Sequence, residues 1–96
     1  MNSQTQRIWN FITQRPNVDI PAPVLNQVAA GEDGMYVSSI SKRISEARKM
    51  AQEKGADFFK SRDEWNGKQR NTWYRFTPEA FSLETEMARA EYLQDR

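Results

Sequence analysis

Cysteine and histidine are both missing from this chain of 96 residues. Without thiols there is no disulfide framework and no thiolate nucleophile. Without imidazole there is no histidine base, so zinc sites of the usual kind and most nucleophilic triads are excluded. No run of residues approaches the ~20 apolar positions of a membrane span, and the opening MNSQTQRIWNF lacks the basic-then-apolar layout of a signal peptide. Internal repeats and low-complexity tracts are absent too. The expectation is one globular cytosolic domain, the number that fits this length. An apolar fraction of 38% with five Phe, three Trp and three Tyr supplies a small core and is too rich for a disordered chain. Fourteen Lys and Arg against thirteen Asp and Glu give a net charge of +1, a balance that at first sight argues against a nucleic-acid partner.

Hydrophobic spacing predicts a first helix over 3–15, with Ile8, Phe11 and Ile12 on one side, stopped by Arg15, Pro16 and Asn17. Residues 18–21 are short, extended and bounded by prolines, and fit either an edge strand or a linker. Val24, Leu25, Val28 and Ala29 describe a short helix over 23–30, broken by Gly31 and Gly34. The clearest helix runs from 37 to 54, where Val37, Ile40, Ile44, Ala47 and Ala51 recur at steps of three and four and Gly55 stands at a left-handed C-cap. Opposite that stripe lie Ser38, Lys42, Ser45 and Lys49, with Arg43 and Arg48 on the flanks.

After Gly55 the period becomes extended, and Asn66-Gly67 signals a hairpin spanning 57–77. A two-residue loop there sets Asp63 opposite Arg70 and Phe59 opposite Tyr74. Phe58 and Phe59 cannot both face inward on a regular strand, so a bulge or one exposed ring is expected. Trp9, Phe11, one of Phe58 and Phe59, Trp73, Tyr74 and Phe76 are the expected aromatic core. Thr77, Pro78 and Glu79 open a closing helix to about residue 93. It carries two apolar stripes, one with Ala80, Leu83, Met87 and Ala90 and another with Phe81, Ala88 and Tyr92. One contact surface needs only one such stripe, so the other is expected to meet a partner.

This order of elements resembles the winged helix-turn-helix family over about residues 5–77. The resemblance is carried by the second helix, the glycine-bounded turn from Gly31 to Gly34, the third helix and the hairpin closing in Trp73, Tyr74, Arg75 and Phe76. It implies an α+β, mainly helical fold: a winged helix-turn-helix domain of three helices plus a β-hairpin wing over 1–78. An acidic C-terminal helix follows over 79–96 as a dimerisation element. It implies sequence-specific binding of double-stranded DNA, with the third helix in the major groove and hairpin 57–77 along the backbone or minor groove. A small homodimeric transcriptional regulator, cytoplasmic and nucleoid-associated, is what such a layout suggests, with the flavour of regulators from phages and other mobile elements. The turn over about 31–36 exceeds the three or four residues usual in a helix-turn-helix.

The residues support the same reading directly. A helix fits the major groove when its exposed face carries donors for base edges and phosphates, which Ser38, Ser39, Ser41, Lys42, Arg43, Ser45 and Lys49 supply. On the hairpin, Lys60, Arg62, Lys68 and Arg70 suit phosphate contacts. The alternative is a winged-helix-shaped module for protein interaction, such as a phage-encoded inhibitor of a host protein complex, with Trp65, Leu83, Met87 and Ala90 making the contacts. Asp57, Asp63 and Glu64 with Lys60 and Lys68 match no defensible nuclease spacing, so no catalytic residue, metal or cofactor is expected.

The net charge of +1 averages unlike parts. Residues 1–78 hold twelve basic and eight acidic side chains, a net +4, whereas 79–96 hold two and five, a net −3. Residues 36–76 alone carry ten basic and five acidic side chains, a net +5, so a basic surface and an acidic tail stand behind a near-neutral total.

Overall fold

The computed structural model describes residues 3–32, 34, 36–37, 39–79 and 87–91. In chain order these form α1 (Ser3–Thr13), β1 (Asp19–Pro21), α2 (Ala22–Ala30), α3 (Ile40–Glu53), β2 (Asp57–Trp65) and β3 (Arg70–Thr77), with a helical turn at residues 87–91. The strands make one antiparallel sheet in the order β1-β3-β2. The result is a small α+β domain in which α1, α2 and α3 cover one sheet face.

Thr5, Ile8 and Ile12 recur at steps of three and four along α1 and are fully buried. The helix ends two residues earlier than its spacing predicts. The chain turns through Asn17, which takes the left-handed conformation (φ 61°) that Asn tolerates better than most residues. The Asn17 N–H donates to the Phe76 carbonyl at 2.8 Å, tying this turn to the end of β3. Residues 19–21 are therefore an edge strand and not a linker, pairing Asp19 with Arg75, Ile20 with Tyr74 and Pro21 with Trp73. Proline is acceptable at such an edge because it has no ladder hydrogen to donate.

Leu25 and Ala29 anchor α2. Its last carbonyls are capped from another helix: Arg7 of α1 donates to Ala29 O at 3.0 Å and to Ala30 O at 3.3 Å, satisfying groups that a helix end leaves open. Gly31 follows with φ 77° and ψ −175°, a region essentially closed to other residues, and a Cβ there would lie 2.8 Å from Arg7 Nη1.

The third helix starts at Ile40 instead of Val37, because Ser39 is its N-cap and accepts the Lys42 N–H at 3.4 Å. Ile44, Ala47 and Ala51 form its buried stripe, and Gly55 (φ 76°) ends it as expected. Nine residues, 31–39, separate α2 from α3, a connection longer still than the one expected.

The hairpin loop has four residues, 66–69. Asn66 accepts the Lys68 and Gln69 N–H groups through Oδ1 at 3.3 and 2.9 Å, an Asx turn, and its own N–H donates to Gln69 O at 3.1 Å. The longer loop shifts the register by two near the tip, so Trp65 opposes Arg70 and Asp63 opposes Thr72, and by only one beyond the irregularity between Lys60 and Arg62, where Phe59 opposes Arg75. Lys60 pairs with Tyr74 and Arg62 with Trp73, which leaves Ser61 as an extra, bulged residue.

The core joins Ile8, Ile12, Ile20, Leu25, Ala29, Ile44, Ala47, Ala51, Ala56, Phe58 and Phe76, with Trp9, Phe11 and Tyr74 packed half-buried at its margin. Trp9 meets Phe76 edge-on, ring centroids 5.7 Å apart. Trp73 is not part of the core. On β3, Tyr74 and Phe76 point inward, so Trp73 and Arg75 point to the other sheet face, where the Arg62 guanidinium lies 4.9 Å over the Trp73 ring. Phe58 and Phe59 are both buried, at 1% and 5% exposure, without a bulge between them. They occupy opposite sheet faces, and the Arg89 guanidinium from residues 87–91 stands 5.0 Å over the Phe59 ring. The expected start of the closing helix beyond Glu79, including Ala80, Phe81 and Leu83, and its end at Tyr92 and Leu93 lie outside the described residues.

Phe58→Ala is expected to lower the unfolding free energy by about 3–5 kcal/mol in urea denaturation. Gly31→Ala is expected to cost about 1–3 kcal/mol, from backbone strain and displacement of Arg7. A neutral Gly31→Ala would show that the Arg7 cap is not structural.

Candidate nucleic-acid interface

The exposed side of α3 carries Ser41, Lys42, Ser45, Arg48 and Lys49, spaced so that they form one continuous stripe. Burial of Ile44, Ala47 and Ala51 on the opposite side fixes this orientation. Beside the stripe runs an open groove of about 210 Å³, lined by Ser41, Ile44, Ser45 and Arg48 of α3 and by Phe58, Lys60 and Tyr74 of the hairpin. The strongest helix and the hairpin thus share one working side.

Of the sequence-predicted donors, Ser41, Lys42, Ser45 and Lys49 stand in the open on this stripe, and Lys60 lines the groove. Ser39 is exposed at the helix start, with its hydroxyl engaged as the N-cap. Ser38 lies outside the described residues. Arg43 requires a correction. It is 8% exposed and pairs with Glu46 at 3.1 Å, while Glu46 accepts the Thr5 hydroxyl of α1 at 3.0 Å. Helical spacing places Arg43 beside the buried Ile44 and Ala47, at the edge of the packed face. Its Nε finds no hydrogen-bond partner. Arg43 therefore backs Glu46, which ties α3 to α1 through Thr5, and offers no donor on the exposed stripe.

The hairpin donors divide between two faces. Lys68 stands exposed in the loop, and Arg70 grips Asp63 through Nε at 2.8 and 2.9 Å, with Nη2 also in contact. That pair survives the register shift as a diagonal contact. Arg62 lies on the sheet face away from α3, stacked on Trp73 and paired with Glu64. Among the residues assigned to protein contact, Trp65 is 69% exposed and Met87 and Ala90 are also open to solvent, while Leu83 is outside the described residues.

Asp57, which the sequence offers only as an acid of no catalytic spacing, has a joining role that the sequence does not show. Its carboxylate is almost fully buried, takes the Phe58 N–H at 2.8 Å and Arg48 Nε at 3.3 Å through Oδ1, and pairs with Arg89 through Oδ2. One acid thereby joins α3, the sheet edge and residues 87–91. Burial, and then the neighbouring Arg48 charge, push the Arg89 guanidinium below its ordinary pKa. Nothing in the spacing of residues 48, 57 and 89 advertises this cluster.

A second cavity, about 340 Å³, opens on the sheet face away from α3, between the strands and residues 87–91. Its polar lining is largely satisfied from within, since Asp19 accepts Ser61 Oγ at 2.8 Å and Arg75 Nε at 2.9 Å. Among the described residues no group of three or more acidic side chains is placed to hold a metal ion, and no helix is long and apolar enough to cross a membrane. Comparison of the chain with protein-family models, curated proteins and solved structures finds no match.

The hydrogen bond from Arg70, ahead of the charges of Arg70 and Lys60, holds the Asp63 carboxyl below its ordinary 3.8. A depressed acid stabilises the fold above its ordinary pKa and loses that contribution as pH falls through its folded value. The Asp63–Arg70 tie is thus expected to be complete above about pH 4 and to fail only in stronger acid. Carboxyl-carbon NMR titration checks this: Arg70→Gln is expected to move the Asp63 midpoint up toward 3.8, and an unmoved midpoint would refute the assigned cause.

Proposed function

We propose that this chain is a winged helix-turn-helix protein that binds double-stranded DNA, with α3 in the major groove and the β2–β3 hairpin as the wing. The observation that carries the reading is the shared side of α3 and the hairpin: the stripe of Ser41, Lys42, Ser45 and Lys49 runs beside a groove whose far wall holds Lys60. The element order and the β1-β3-β2 sheet support the family assignment. Ser41 and Ser45, one turn apart, keep the middle of the helix surface low enough for base edges to approach. Lys42, Arg48 and Lys49 flank them with charge for the phosphates on either side. Lys68 and Lys60 extend the same attraction along the wing. In this reading the protein regulates transcription as a homodimer joined through its closing helix, where Met87 and Ala90 stay uncovered while Arg89 faces the sheet.

The interaction-module reading draws on the same exposure of Met87 and on Trp65. Co-purification from a nuclease-treated host lysate separates the two: a stoichiometric protein that survives nuclease favours the module, and DNA without a partner favours the regulator.

Polarisation with labelled duplexes is expected to show affinity falling linearly on a log–log salt plot, with a slope of about −0.9 per phosphate contacted. Lys42→Ala combined with Lys49→Ala is expected to make that slope shallower by about two contacts. Absent or salt-independent binding would refute DNA binding. Light scattering at high micromolar concentration is expected to give about twice the chain mass of 11.2 kDa, and a single chain mass would refute the dimer.

A further inference from the structure

The bulge at Ser61 decides which way the tip of the hairpin faces. Counting by twos from the buried Phe58 along an unbroken strand would put Lys60, Arg62 and Glu64 on the α3 side and turn Trp65 away. Ser61 has no partner on β3, so the alternation slips by one beyond it. Asp63 and Trp65 then join Lys60, Arg70, Thr72 and Tyr74 on the α3 side, while Arg62, Glu64 and Trp73 take the other. Within that tip, Arg70 opposite Trp65 is drawn back onto Asp63. The indole, 69% exposed, is left as the foremost large group on the working side.

Its position along the hairpin can be compared with DNA. Lys60 marks the groove beside α3, and across the bulge Trp65 lies four ladder positions farther out, about 13 Å at ~3.3 Å per residue, with the indole and the loop 66–69 extending beyond it. Half of the ~34 Å turn of B-DNA, about 17 Å, separates a major groove from the neighbouring minor groove. With α3 in the major groove, the tip reaches the adjacent minor groove. An indole delivered there has a broad apolar face for sugars and base steps and a single N–H for the acceptors of the groove floor.

Resting on the DNA-binding reading above, the geometry points to Trp65 as an apolar wedge that enters the minor groove next to the α3 site and selects DNA that opens readily at that point. Pyrimidine–purine steps such as TA unstack at low cost, whereas A-tracts are stiff and narrow. The wedge thus contributes selectivity through deformability, at base pairs that no side chain of α3 reads. Lys68 in the adjoining loop supplies the phosphate contact that holds the tip down.

The test uses the full chain and two fluorescein-labelled duplexes of about three helical turns, one an A-tract and one with a TA step in every turn. The wild-type protein is expected to prefer the TA duplex. Trp65→Ala is expected to lose about tenfold in affinity for that duplex and most of the preference, Trp65→Phe to retain most of both, and neither to change the salt slope, because no charge is removed. A thermal melt of each variant confirms the fold, which an exposed tip residue should leave intact. Trp65→Ala binding both duplexes like the wild type overturns the wedge and leaves DNA binding standing, the result also expected if Trp65 serves a protein contact. Wild-type protein that binds neither duplex overturns the DNA-binding reading and the wedge with it.

Discussion

The hydrogen bonding of β3 along both of its edges is the constraint on which the rest of the domain depends. β1 holds it from Trp73 to Arg75 and β2 holds it along its whole length, so the strand cannot turn about its own axis without breaking two ladders. Its alternation then assigns every neighbour. Phe76 and Tyr74 face the helices, where Trp9 meets Phe76 and Tyr74 leans on Phe58, ring centroids 5.7 Å apart. Trp73 and Arg75 face the other way, and Arg75 draws Asp19 and Ser61 into a small polar network there. Because α1 packs on the inner face and α3 on α1 and β2, the angle at which α3 presents its serines and lysines is inherited from this strand.

Asp57 adds a second, electrostatic fastening at the sheet edge. A buried carboxylate is costly to desolvate, and two guanidinium groups with a backbone N–H compensate it more fully than one cation would. Two cations around one anion leave that corner positive, and burial first, then the Arg48 charge, lower the pKa of Arg89. Arg48 consequently has a double allegiance: its Nε is committed to Asp57 while about half of its side chain remains in solvent on the α3 stripe. Phe59 sits beside this cluster, with Arg89 lying across its ring.

Much of the layout was readable from spacing alone, because helices α1, α2 and α3 each bury a stripe set by their own sequence, as Ile44, Ala47 and Ala51 do for α3. The exposed donors Ser41, Lys42, Ser45 and Lys49 follow from that stripe by simple rotation. What escaped were features decided across long sequence distances. Arg43 is buried at the edge of the packed face beside the Glu46–Thr5 bond to α1, and no local pattern reports that. Phe59 is buried from a segment thirty residues away. The four-residue loop and the Ser61 bulge reset which residues oppose one another, since Asn66-Gly67 is compatible with more than one loop length and a bulge has no signature here beyond the strand it interrupts.

Gly31 and Arg7 carry a consequence for how such a chain can change over generations. Arg7 spans from the first helix to the last carbonyls of the second, and Gly31 gives it room by having no side chain. Neither residue is free to drift alone: a larger residue at 31 evicts the guanidinium, and a shorter one at 7 leaves the end of α2 uncapped. The two positions are coupled through one contact, in which the guanidinium fills the space that the missing side chain leaves. A single substitution at either position thus loosens the seam between α1 and α2, and only a paired change keeps both ends of that contact filled.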